Sequence, residues 1–244
     1  MWEKLSSKAI GVLALTFVCC GSGFAQSSYS PEHREWEVTV FSGTSLGSTQ
    51  EFPTAVFGSD QESSRTVRMH YNSGWLLGAR VSQNFGDYWA VDLEYSFANQ
   101  RLNFDGLLPN GRIFAFNNYL HNASYNVSFL PLPRTSRFRP YADAGIGFAL
   151  FYIPQRAKKE ALLDGLALRS SWEFMFNWGG GLKYLVADQF ALTFDVRDRV
   201  SRVPSYGIPD SARIINGQFQ PGMATHGVLN NWQFNLGFTY QWDE

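Results

Sequence analysis

Cysteine is nearly missing from this chain. Only Cys19 and Cys20 occur in 244 residues, side by side near the start. Past them, neither a disulfide framework nor a thiolate metal site is available. Charge is sparse too, at 17% of residues, and the net charge is −1. That balance gives no electrostatic case for nucleic-acid binding. After Ala25 no apolar run is long enough to cross a membrane as a helix. The mean hydropathy, −0.20, is also too polar for a helical membrane protein. Histidine is limited to His33, His70, His121 and His226, with no cluster at metal-ligand spacing. Against these shortages stand 16% aromatics and 22 glycines, which favour strands over helices.

The start of the chain reads as an export signal. Lys4 and Lys8 form a basic segment, Ala9 to Cys20 an apolar one, and Gly23-Phe24-Ala25 a small-x-small cleavage site. Cleavage is expected after Ala25, giving a signal peptide at 1–25 and one domain at 26–244. Val18 precedes Cys19 and Cys19 precedes Cys20, so neither follows the small residue that lipid modification needs.

The rest resolves into eight segments of period-two alternation. They run near Glu35 to Gly43, Ser73 to Phe85, Tyr88 to Asn99, Ala115 to Leu130, Phe138 to Ile153, Trp172 to Leu185, Gln189 to Val200 and Asn230 to Trp242. The last is the clearest. Trp232, Phe234, Leu236, Phe238, Tyr240 and Trp242 alternate with Gln233, Asn235, Gly237, Thr239 and Gln241. Connections after the second, fourth and sixth segments are short, through Gly86-Asp87, Pro131 to Ser136 and Ala187-Asp188. The others are long: Thr44 to Asn72, Gln100 to Phe114, Pro154 to Ser171 and Ser201 to Leu229. The pattern predicts an all-β, eight-stranded antiparallel up-and-down barrel that crosses a membrane, with short turns on one side and long loops on the other.

Alternation alone does not say which face meets lipid. A soluble barrel would have to pack more bulky aromatics inside than an eight-stranded lumen admits. The polar face carries both signs of charge at mid-strand: Glu37, Arg80, Asp92, Glu94, Asp143, Lys183, Asp195 and Arg197. A closed lumen pairs such charges. Trp36, Trp89, Tyr95, Tyr152, Trp178, Tyr184 and Trp242 recur near strand ends, as interfacial girdles require. These eight charges are therefore expected to form an ion-pair network that fills the interior.

From about Glu35 to Trp242 the chain resembles the eight-stranded outer-membrane barrels of the OmpA/OmpX/OmpW type. The stretch Asn235-Leu236-Gly237-Phe238-Thr239-Tyr240-Gln241-Trp242 is similar to that family's C-terminal assembly signal, in which Asn235, Gly237, Tyr240 and Trp242 hold the key positions. The resemblance implies an outer-membrane location, both termini in the periplasm, and recognition of the last strand by the barrel-assembly machinery. Asp243 and Glu244 depart from the pattern, since the family usually ends on the aromatic.

Outer-membrane barrels include acyl-transfer enzymes that use a His and a Ser. Here His121 and Ser124 are an odd number of residues apart on one strand and so face opposite ways. No catalytic residue, metal or cofactor is expected. Arg156, Lys158 and Lys159 form a basic run in the third long loop, which reads first as a solvated loop, with contacts to lipid-A phosphates of the surrounding lipopolysaccharide as the alternative. The first long loop mixes Asp60, Glu62, Arg65 and Arg68 with small polar residues and reads as a mobile surface segment. The expected role is structural and surface-presenting, as a monomer. A narrow channel, a lipid-A-modifying enzyme and an adhesin are the alternatives.

Overall fold

The computed structural model describes residues 35–57, 62–108, 111–134, 136–211, 213–215 and 218–242. The expected signal segment, Asp60, Asp243 and Glu244 lie outside them. In chain order the elements are β1 (Trp36–Gly47), β2 (Gln50–Phe57), β3 (Glu62–Tyr71), β4 (Gly74–Phe85), β5 (Trp89–Asp105), β6 (Phe114–Phe129), β7 (Phe138–Tyr152), α1 (Gln155–Leu163), β8 (Ser171–Ala187), β9 (Phe190–Arg202), β10 (Arg213–Ile215), β11 (Gln218–Gln220) and β12 (Val228–Trp242). No described helix is long and apolar enough to cross a membrane.

Eight of these strands close a cylinder. Its order is β1-β4-β5-β6-β7-β8-β9-β12 and back to β1, antiparallel throughout. Each is one of the alternating segments found in the sequence. Closure joins the first and last barrel strands: Trp36 lies opposite Trp242 and Gly47 opposite Asn231. Alternation is clearest in β12, which buries Asn235, Gly237 and Thr239 and exposes Leu236, Phe238 and Tyr240, and it is broken in β9, where Arg197, Asp198 and Arg199 are all buried. Closing the sheet leaves no open edge within the membrane-crossing part, as a spanning structure requires.

The strands outrun the membrane. Trp89 pairs with Phe129 near the short-turn end, and ten residues further on Asn99 pairs with Tyr119, itself opposite Tyr152. Ten residues at about 3.3 Å each, tilted by roughly 40°, rise about 25 Å, the height of the apolar band of such barrels. Within that band Leu93, Tyr95, Tyr125 and Val127 are exposed on the outside, while Asp92, Glu94, Asn126 and Ser128 are buried inside. Above Tyr119 the polarity inverts. Arg101, Asp105 and Asn117 are exposed, and Leu102, Phe104, Phe114 and Phe116 are buried. The wall changes from lipid-outside to water-outside at this level, and the interior changes from polar to apolar.

The long connections are built rather than loose. The segment read as a mobile first loop holds the β2–β3 hairpin, whose β3 continues onto the top of β5 from Arg68 opposite Asp105 to Tyr71 opposite Leu102. Phe52, Val67, Met69 and Tyr71 are buried there. The third connection forms α1. It starts after Pro154, and Ala157 and Ala161 face inward. Gly165, at φ 77°, ends it, with Leu166 N–H donating to the carbonyl of Ala161 at 2.9 Å. The apolar core of the protein sits at this end, joining Phe52, Met69, Phe104, Phe116, Phe151 and Tyr206 among others.

Candidate functional site: a lumen filled in three layers

The layer nearest the short turns is centred on Glu37 of β1. It forms an ion pair with Lys183 of β8. Asn84 Nδ2 and Gln241 Nε2 donate to the same carboxylate at 2.9 and 3.2 Å. Arg139 is buried at the same end and donates to the carbonyl of Asp87 at 3.3 Å.

The central layer spans the lumen from β4 and β5 to β7 and β9. Arg80 Nε lies 2.7 Å from Glu94 Oε2, and its Nη2 lies 3.0 Å from Asp195 Oδ2. Arg197 reaches Asp143 at 2.5 Å, Asp195 at 3.3 Å and Glu94 at 3.4 Å. Arg199 pairs with Glu94 as well and donates to Gln233 Oε1 at 2.8 Å. The Tyr141 hydroxyl and Asn235 Nδ2 donate to Asp195 at 3.1 and 2.7 Å. Three guanidinium groups thus meet three carboxylates. Arg197 and Glu94, 0% and 1% exposed, are removed from solvent. Charges so buried persist only when paired, because the desolvation penalty of each is several kcal/mol. Glycines make room: a Cβ at Gly179 would stand 2.9 Å from Arg197 Cγ, and one at Gly181 2.7 Å from Asp195 Cβ.

The third layer is apolar. Tyr206, in the connection after β9, is fully buried, and its ring packs edge-on against Phe104, Phe116 and Phe151 at centroid distances of 6.1–6.2 Å. Its hydroxyl meets that of Tyr71 at 2.8 Å. Tyr206 alone among the described non-glycine residues has a positive φ, 53°. Such a conformation is strained for a bulky residue and is held by the surrounding packing. Burial pushes both phenols above their ordinary value.

The eight charges singled out in the sequence all lie buried on the inner face. They do not form one network. Arg80, Glu94, Asp143, Asp195 and Arg197 share the central layer, whereas Glu37 and Lys183 pair separately. Asp92 has no ion pair among the described residues and instead accepts from Ser128 Oγ. Sequence reasoning missed Arg199, although it follows Asp195 and Arg197 at the same period of two. It also missed the apolar third layer, so the lumen is not polar throughout.

Of the assembly-signal residues, Asn235 joins the central layer. Gly237 is packed under Thr193 and Phe41. Tyr240 and Trp242 face outward, their rings stacked at 5.8 Å beside the short-turn end. Arg156, Lys158 and Lys159 lie on α1. Arg156 pairs with Glu160, and Lys158 stands over the Tyr152 ring, 5.8 Å from its centroid. The described histidines meet a hydroxyl or a carbonyl, not a carboxylate: His70 with Thr49, His121 with Tyr95 and His226 with the carbonyl of Ala224. His121 faces out and Ser124 in. No cluster of metal-ligating residues occurs among the described residues.

A closed antiparallel barrel with an aromatic-rimmed apolar exterior and an ionic interior is an outer-membrane β-barrel. Residues 13–241 match the outer membrane protein beta-barrel domain, and the chain belongs to that family. Among solved structures it is similar to the outer membrane protein OprG from Pseudomonas aeruginosa, with a TM-score of 0.56 and 16% identity over 87% of this chain and 98% of that one. It is also similar to the outer membrane protein AlkL in lipid bilayers, with a TM-score of 0.50 and 17% identity over 90% of this chain and 96% of that one. At those identities the likeness concerns the fold. No curated protein matches the chain by sequence.

Proposed function

We propose that this protein is a non-enzymatic, plugged outer-membrane barrel. It reinforces the membrane and presents its long connections at the cell surface, with both termini in the periplasm. The observation that carries this reading is the central ionic layer, in which Arg80, Arg197 and Arg199 are matched by Glu94, Asp143 and Asp195 across the lumen. Tyr206 and its aromatic neighbours close the same lumen from above. A barrel of eight strands is wide enough only for its own side chains. Closure of all eight strands on themselves supports a monomer. The position of Asn235, Gly237, Tyr240 and Trp242 along the closing strand supports recognition by the assembly machinery.

A narrow channel is the second reading, favoured by one feature. The buried side-chain amides of Asn118, Asn126 and Asn177, on β6 and β8, make no hydrogen bond to protein. Such groups call for water and mark a polar strip beside the ionic layer. Swelling of proteoliposomes in small neutral and ionic solutes tests the choice. Vesicles carrying the protein should swell no faster than empty ones. Solute-dependent swelling would replace the plugged reading with the channel.

A further inference from the structure

On the lipid-facing wall one patch differs from the rest. Tyr95, Phe97, Tyr119, His121 and Tyr152 form a continuous run of rings across β5, β6 and β7. The Phe97 ring lies 5.8 Å from Tyr119 and 5.1 Å from His121. Tyr119 stacks on Tyr152 at 6.4 Å with planes 12° apart. The Tyr95 hydroxyl and His121 Nδ1 are hydrogen-bonded at 2.8 Å, on the outer face of the barrel. The neighbouring wall is mostly aliphatic and aromatic, with Leu93, Tyr125, Val127, Ile146 and Phe148. Tyr119 and Tyr152 stand at the top of the apolar band, and the Tyr95–His121 pair lies in its upper half, below them.

Helix α1 lies directly above it. Lys158 extends over Tyr152, and Lys159 beside it is exposed, with no ion pair among the described residues. One turn further on, Leu162 and Leu163 are 62% and 89% exposed. A short helix that offers water two leucines next to two lysines, at the rim of a membrane wall, has the composition of an interfacial element. Lys158 and Lys159 thus stand at the rim of the wall with two exposed leucines on the same helix.

We propose that this patch is a binding site for one phosphorylated glycolipid of the outer leaflet. Lys158 and Lys159 hold a phosphate on the sugar by charge-assisted hydrogen bonds. The Tyr152 and Tyr119 rings lie against the sugar, and the Tyr95–His121 pair below them offers polar atoms to the acyl carbonyls. The acyl chains run down the wall past Phe148 and Ile146. Arg156 is turned to Glu160 and is not a ligand. The site deepens the proposed surface orientation and rests on it, since the long-connection end must face the outer leaflet.

The test uses the full-length protein in detergent and native mass spectrometry. Three probes are compared: bis-phosphorylated lipid A, the same lipid dephosphorylated, and phosphatidylglycerol. Wild type should retain the first in preference to both others. The double variant Lys158→Ala/Lys159→Ala should bind it about 30-fold more weakly, the loss expected when two lysines cease to attract an anionic headgroup. Tyr152→Ala should weaken all glycolipid binding. Heat-modified gel mobility reports that both variants still fold. Equal retention of the dephosphorylated lipid or of phosphatidylglycerol, or unchanged binding in the lysine variant, overturns the site. Orientation is read separately. Lys159→Cys on intact cells should react with a membrane-impermeant maleimide, and failure there rejects the orientation while the detergent result still judges the site.

Discussion

The ring of Phe41 lies on the backbone of Gly78. A Cβ added at Gly78 would stand 2.3 Å from Phe41 Cζ. Phe41 is opposite Gly78 on β4 and opposite Gly237 on β12, so this inward aromatic is flanked by glycine on both neighbouring strands. The Arg80 guanidinium sits 5.5 Å from the same ring. The aromatic thus fills the space that the glycines leave and borders the central ionic layer.

Gly78→Ala is expected to destabilise the barrel by about 1–3 kcal/mol, the cost of overpacking a filled interior. Phe41→Leu added to it should recover part of that loss, because the smaller side chain yields space. Urea midpoints in lipid vesicles measure both. Full stability of Gly78→Ala would mean that the ring moves aside freely.

Asp143 has one ion pair among the described residues, to Arg197. Arg197→Met therefore leaves it buried and uncompensated, at a cost of about 3–5 kcal/mol. Asp143→Asn in the same background should recover part of the loss. A double variant no more stable than Arg197→Met would show that Asp143 is not the group left stranded.

The hydroxyls of Tyr71 and Tyr206 share one buried hydrogen bond. Tyr206→Phe should cost about 1 kcal/mol, and Tyr206→Ala about 3–5 kcal/mol through the cavity it opens. Both phenols titrate above their ordinary value when folded. Their contribution is then fully present below about pH 10 and is lost as pH rises beyond it. Alkaline titration of stability checks the sign. The double Phe variant should lose less stability above pH 10 than wild type does.

Trp242 is the outermost ring of the closing strand, opposite Trp36. Trp242→Ala should lower the folded, heat-modifiable fraction in cells more than it lowers the stability of protein that has folded. Equal losses in the two would assign Trp242 to the girdle alone.

The barrel strands were legible because a wall between lipid and a polar lumen obeys one rule of alternation. Trp89 to Asn99 and Trp232 to Trp242 carry it almost without exception. Above the membrane the rule reverses. Leu102, Phe104, Phe114 and Phe116 then look like lipid-facing residues out of register, and only the three-dimensional level of Tyr119 and Tyr152 explains them. The β2–β3 hairpin had a signal, since Val67, Met69 and Tyr71 alternate with Thr66, Arg68 and His70. The eight mid-strand charges were visible one by one. Their division into separate layers depends on which strands face each other across the lumen, and alternation carries no information about that. Tyr206 lies in an irregular connection with no period at all, so its place in the apolar layer had no sequence signature.

The plugged lumen is tested most directly by single-channel recording in a planar bilayer, on wild type and Arg80→Glu. Reversal at Arg80 turns its two carboxylate contacts, to Glu94 and Asp195, from attraction to repulsion. Wild type should give a flat baseline and the variant unitary current steps. Steady, voltage-proportional steps from wild type, unchanged in Arg80→Glu, would contradict the plugged lumen.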